Sequence, residues 1–151
     1  MKWVNHEIVT GVIVYTVVQE PLLALYSMAG AILPDKLEGN PRSGNYWSWR
    51  SRHRGWSHWP MLYALLLGLQ LEIMGGGQLS SLTDMLSIGT YLSIGALLHI
   101  AEDALCGKVP FITPWQKVGV KLFSVGSVTE YLFAIVLVLA CYIIHIRFVI
   151  E

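Results

Sequence analysis

Charge is scarce in this chain. Asp, Glu, Lys and Arg make up 13% of its 151 residues, where a soluble domain carries about 25%. Ten Lys and Arg balance ten Asp and Glu, so there is no formal net charge. A chain without net positive charge lacks the field that gathers polyanions, and no nucleic-acid partner is expected. Cysteine is almost absent too. Cys106 follows a polar cluster and Cys141 lies inside an apolar run, so the two make no disulfide framework. Internal repeats, heptads and low-complexity tracts are missing, which excludes solenoids and coiled coils.

What is abundant is apolar surface. Hydrophobic residues make up 54% of the chain and the mean hydropathy is +0.55. Six Trp and seven Tyr suit a belt at a membrane–water interface. The length fits one membrane-embedded domain over residues 1–151. Lys2 before the apolar stretch Ile8–Val18 resembles a secretory signal. His6 and Glu7 interrupt its start, however, and more apolar sequence follows Gln19-Glu20-Pro21, so cleavage is not expected.

Five apolar segments are expected as helices: His6–Gln19, Leu22–Leu33, Trp59–Met74, Leu82–Ala101 and Thr129–Phe148. In lipid an isolated strand leaves its backbone unsatisfied, so Val and Ile content does not argue for sheet. Crossing the hydrocarbon takes about 20 apolar residues. The fourth and fifth segments qualify, the third is marginal, and the first two are short and split at Glu20-Pro21. Either one bent helix runs from His6 to Leu33, or the two segments fold back on each other.

The fold class expected is an all-α, polytopic bundle of about five helices, with hairpins placing His and Asp residues at one membrane face. With hairpins at Glu20-Pro21 and Gly75-Gly76-Gly77, Lys2, Lys36, Arg42, Arg50, Arg52, Arg54, Lys108, Lys117 and Lys121 share one side. Only Arg147 lies opposite, and by the positive-inside rule the shared side faces the cytoplasm. A single bent helix satisfies that rule as well. It would, however, leave His6 about 40 Å from Asp35 at 1.5 Å rise per residue. Hairpins instead bring His6, Asp35, His53, His58, His99, Asp103 and Glu130 to one face, and hairpins are therefore expected.

His99 and Asp103 are spaced i, i+4, which stacks two ligand-type side chains on one helical face. Such a pair is commonly just a hydrogen bond. His53-Arg54-Gly55-Trp56-Ser57-His58 leads from a basic loop into the third segment, with Ser57 expected as its N-cap and Pro60 in its first turn. The Trp and Arg residues there suit an interfacial anchor, which leaves the two histidines unexplained. Asp35 follows Leu33-Pro34. Glu130 opens the last segment, where the helix dipole favours it. Each residue has an ordinary reading alone, but together they are a nitrogen and oxygen donor set suited to Zn²⁺ or Mn²⁺. His145 lies at the far end and is assigned no role.

The order early His, then Leu-Pro-Asp, then His-Arg-Gly-x-Ser-His, then His-x-x-x-Asp resembles the YdjM-type membrane-bound metal-dependent hydrolases, over His6 to about Pro114. The resemblance implies an inner-membrane hydrolase of undefined substrate, with His6, Asp35, His53, His58, His99 and Asp103 as metal ligands. A more distant likeness is to the all-helical zinc-dependent phospholipase C and single-strand nuclease group, which implies roles for Asp35, His58, His99, Asp103 and Glu130. That group uses a free N-terminal Trp as a ligand, whereas Trp3 here is internal, and this chain has fewer histidines. One or two ions are therefore expected rather than three, Zn²⁺ first and Mn²⁺ second.

The activity expected is phosphoester hydrolysis by metal-activated water at the cytoplasmic face of a bacterial-type inner membrane. The substrate would be a phospholipid or lipid-linked head group, and membrane lipid is the expected partner. Asp35 would orient water or bridge ions, and Arg54 would hold the phosphate. Glu130 joins them as a third catalytic candidate. The alternative is a non-catalytic metal-binding membrane protein or a small regulatory adaptor. Ion transport is disfavoured because the mid-helix stretches are almost bare of polar groups.

Overall fold

The computed structural model describes residues 1–39, 53–76 and 80–147. Among them are five α-helices: α1 (Trp3–Val18), α2 (Pro21–Glu38), α3 (Pro60–Gly75), α4 (Ser80–Cys106) and α5 (Val128–His145). A 3-10 turn at Trp56–His58 precedes α3. A two-stranded antiparallel ribbon follows α4, with β1 (Val109–Pro110) paired to β2 (Lys117–Val118).

The chain does turn back at Glu20-Pro21. Gln19 closes α1 in the left-handed region, at φ 61, donating its N–H to Tyr15 O. Pro21 then opens α2 at a first-turn position, where its missing N–H costs nothing. The two helices pack on each other. α2 was expected to stop at Leu33, before Pro34, yet it continues to Glu38. The proline removes only the one N–H that would have bonded Gly30 O, and Gly39, at φ 78, ends the helix by donating to Asp35 O and Lys36 O. Asp35 is therefore a helical residue held at a fixed angle.

α4 is the hub, with α1, α2 and α3 packed against it, and α5 lies against α1. Lipid tails are as apolar as leucine, so helices in a membrane associate mainly where small residues let backbones touch. α2 and α4 meet in this way. A Cβ on Gly30 would strike the Leu92 backbone, and one on Gly95 would strike the backbone of Ser27 and Ala31. Val9, Cys106, Phe123 and Ala134 form one small core cluster with Met1, and Tyr63, Ala96, Ile100 and Val109 form another. Leu65, Leu69, Ile135 and Leu139 remain exposed, as lipid-facing residues would.

Asp84–Cys106 and Val128–His145 are long and apolar enough to cross a membrane. α1 and α3, at 16 residues each, reach about 24 Å, short of the ~30 Å hydrocarbon core. The N-cap of α3 is Trp59, with Pro60 behind it. Ser57, expected as that cap, sits inside the 3-10 turn. α4 runs five residues past the expected Ala101, which carries Asp103 on the same helix as His99. Gly77 and Phe148 lie outside the described residues, as do Arg42, Arg50 and Arg52.

Candidate metal centre

Four segments supply the cluster. His6 comes from the first turns of α1 and Asp35 from the last turn of α2. His58 ends the 3-10 turn, and His99 and Asp103 lie one turn apart on α4. His6, His58 and His99 are essentially inaccessible, Asp103 is buried, and Asp35 is partly exposed.

His58 Nε2 is 3.3 Å from His99 Nε2 and 3.3 Å from Asp35 Oδ1. His99 Nε2 is 3.8 Å from both Asp35 Oδ1 and Asp103 Oδ2. His58 Nε2 lies 3.6 Å from Asp103 Oδ2, and His6 Nε2 lies 3.4 Å from Asp103 Oδ1. The His6 and His99 rings lie with centroids 4.0 Å apart and planes tilted by 35°. Metal–ligand bonds of about 2.0–2.2 Å put tetrahedral neighbours about 3.3–3.6 Å apart. The observed spacings are of that size.

The orientation of the rings points the same way. His6 Nδ1 meets Glu102 Oε2 at 2.5 Å, and Thr10 donates to the other oxygen of Glu102 at 3.3 Å. His58 Nδ1 meets Ser57 Oγ at 2.9 Å, while Tyr63 donates to Ser57 O at 2.9 Å. Partners on Nδ1 leave Nε2 of both rings to face the cluster, the arrangement seen around metal-bound histidines. His6 Nε2 is buried with no hydrogen-bond partner, a state that ordinarily costs about 1–3 kcal/mol. A cation in contact would remove that cost.

Two overlapping ligand groups result, His6–His99–Asp103 and Asp35–His58–His99, each with ligand atoms within 4.8 Å of one another. An imidazole nitrogen has one lone pair, so His99 Nε2 serves one ion at a time. Asp103 turns Oδ1 toward His6 Nε2 and Oδ2 toward the Nε2 atoms of His58 and His99.

Two cations already neighbour Asp103. The Met1 amino group sits 2.7 Å from Oδ1 and Arg54 Nε sits 2.8 Å from Oδ2. Burial disfavours the Met1 ammonium, but the attraction of Asp103 more than offsets this and holds its pKa above the ordinary value. Arg54 Nε is close enough to Asp103 for an ion pair, although its N–H is not aimed for a hydrogen bond. Arg54 also takes a left-handed backbone conformation, φ 55, a strain of about 1–3 kcal/mol. Its side chain passes over Gly107, where a Cβ would press on the guanidinium.

Two residues expected at the centre stand elsewhere. His53 binds Glu38 Oε2 through Nδ1 at 2.6 Å and lies edge-on to His58, with ring centroids 6.0 Å apart. It flanks the cluster and joins neither group. Glu130 is buried at the start of α5, where it accepts from Lys2 N at 2.8 Å, from Gly126 N at 2.6 Å and from the Asn5 amide. Among the described residues no hydrogen bond or ion pair joins it to the cluster. It ties the N-terminal segment to α5.

Glu102, Glu38 and the Met1 amine were not foreseen. Glu102 had a signal, since it lies three residues after His99 and shares the face that i, i+4 assigns to Asp103. Glu38 and Met1 had none.

The sequence model of the YdjM inner membrane protein family matches residues 1–150, nearly the whole chain. No curated protein and no solved structure matches.

Proposed function

The chain belongs to the YdjM inner membrane protein family, and from that premise we propose that it is a multi-pass, metal-dependent phosphoester hydrolase. Its substrate is a phospholipid or lipid-linked head group. One observation carries the reading: three buried imidazoles and two carboxylates converge at 3.3–3.8 Å, with the Nε2 atoms of His6 and His58 turned inward by partners on Nδ1. Buried imidazole nitrogens gathered this closely beside carboxylates, one of them (His6 Nε2) without a hydrogen-bond partner, suit a bound cation. Of the seven described Lys and Arg, six (Lys2, Lys36, Arg54, Lys108, Lys117 and Lys121) fall on the side of the cluster when the hairpins are laid across a bilayer, and only Arg147 lies opposite, which supports a cytoplasmic site.

His6, His58, His99, Asp35 and Asp103 are the residues that would hold the ion, Zn²⁺ or Mn²⁺. A metal held there would supply a water of near-neutral pKa and Lewis acidity toward the phosphoryl group. Asp35 is the more exposed of the two cluster carboxylates, at 15% against 4% for Asp103, and so is the group that orients incoming water. Arg54, partly exposed and beside Asp103, supplies a planar donor for the developing phosphate charge.

A second reading rests on the same Asp103. Met1 and Arg54 already compensate its charge, so the cluster also suits a closed buried ion network with a purely structural role. Elemental analysis of purified protein, wild type against Asp103→Ala, separates the two. Stoichiometric Zn or Mn lost in the variant, with phosphodiesterase or phospholipase activity lost alongside, supports the hydrolase. Metal-free wild-type protein, inactive after Zn²⁺ and Mn²⁺ addition, overturns it.

A further inference from the structure

The segment between α4 and α5 is unlike an ordinary solvated loop. Residues 107–127 carry three lysines and no acidic residue, and all three, Lys108, Lys117 and Lys121, are exposed. The ribbon at its start points large apolar side chains outward. Trp115 is 81% exposed, Ile112 58% and Phe111 46%. In water such a surface would be a liability.

The ribbon is nevertheless well anchored. Trp59 donates its indole N–H to Ile112 O at 3.2 Å, and Lys117 donates to His53 O at 3.4 Å. Val120 N bonds Ala104 O at 2.9 Å and Leu122 N bonds Leu105 O at 2.7 Å, tying the return strand to the end of α4. Trp115 meets the edge of Trp56, which is itself 60% exposed and meets the edge of Trp59. Three indoles and three lysines thus stand on the ribbon and the turn it packs against, just past the end of a helix long enough to span a membrane.

We infer that the β1–β2 ribbon is an interfacial anchor, its Trp115–Ile112 tip set in the head-group layer and its lysines meeting anionic lipid phosphates. Indoles favour this depth because they pair an apolar body with a polar N–H. A basic segment at an anionic surface gains about 1 kcal/mol per lysine. The exposed apolar tip sits against Trp56 and Trp59 just ahead of α3, and the charge complements a negatively charged leaflet. The inference rests on membrane residence, not on metal binding or hydrolysis.

The test is a nitroxide placed by Trp115→Cys, and separately by Ile112→Cys, in protein reconstituted into phosphatidylcholine–phosphatidylglycerol bilayers. Both native cysteines are buried, and unsubstituted protein serves as the labelling control. Collision with oxygen should exceed collision with a water-soluble nickel chelate at both positions. Chelate access equal to that of a free label in water overturns the inference. Shielding from both reagents, in lipid and detergent alike, also overturns it and identifies a protein partner. In a second arm, spin-labelled phosphatidylglycerol should associate more than phosphatidylcholine. Lys108→Gln, Lys117→Gln and Lys121→Gln should each lower that preference, by up to about 5-fold per lysine. A preference unchanged in the triple variant sinks the lipid assignment, and the substitutions leave the cluster residues untouched.

Discussion

Glu102 and His6 form a buried pair, the carboxylate 2.5 Å from Nδ1 of the ring. The pair sets which nitrogen of His6 is free. With Nδ1 engaged by Glu102, Nε2 is the nitrogen turned to Asp103, and it is the one that would offer its lone pair to a bound cation. Glu102→Ala should therefore weaken metal binding by roughly 10- to 100-fold without abolishing it. Competition titration with a chromophoric chelator measures this. An affinity equal to wild type would mean that His6 is not a ligand.

Arg54→Ala should retain the metal. The guanidinium competes for Asp103 Oδ2 at 2.8 Å, so its removal frees a ligand oxygen. Turnover on a phosphodiester should fall on the order of 100-fold. Loss of metal together with activity would assign Arg54 a structural part instead.

Glu130→Ala should separate support from chemistry. The change strips partners from Lys2 N, Gly126 N and the Asn5 amide. Leaving the buried Asn5 amide unpaired costs about 1–3 kcal/mol, and the part-buried Lys2 and Gly126 N–H groups add less. A lowered thermal midpoint in detergent with unchanged metal content is the expected outcome. Metal loss at full stability would return Glu130 to the centre.

Gly95→Leu should disable the site without touching a ligand. The added side chain cannot fit against Ser27 and Ala31, so α2 must shift from α4 and carry Asp35 away from His99. Overpacking of this kind costs typically about 1–3 kcal/mol. Metal content should drop, whereas Gly68→Leu, on α3 where a Cβ meets open space, should leave it unchanged.

The apolar segments and their order were legible in the sequence because hydropathy reports burial in lipid directly. The hairpin at Glu20-Pro21 was legible only through the polar residues it brings together. Helix ends were less so. Pro34 reads as a stop, but near a C-terminus it removes a single hydrogen bond, and α2 runs through it to Glu38. The contrast between Glu102 and Asp103 was not legible, because both acids face inward when His6 arrives between them from another helix. Glu130 illustrates the opposite error. Its position at a helix start fitted the site, but its oxygens are taken by backbone N–H groups that no sequence pattern marks.

His6 and Glu102 are 96 residues apart in the chain. At about 5–20 residues per second, a ribosome needs roughly 5–20 s between them. For that interval the α1–α2 hairpin carries His6 and Asp35 without the α4 residues they face in the finished fold. If the proposed metal centre is loaded in the cell, capture of the ion would therefore follow synthesis of α4 and would be a late event in biogenesis.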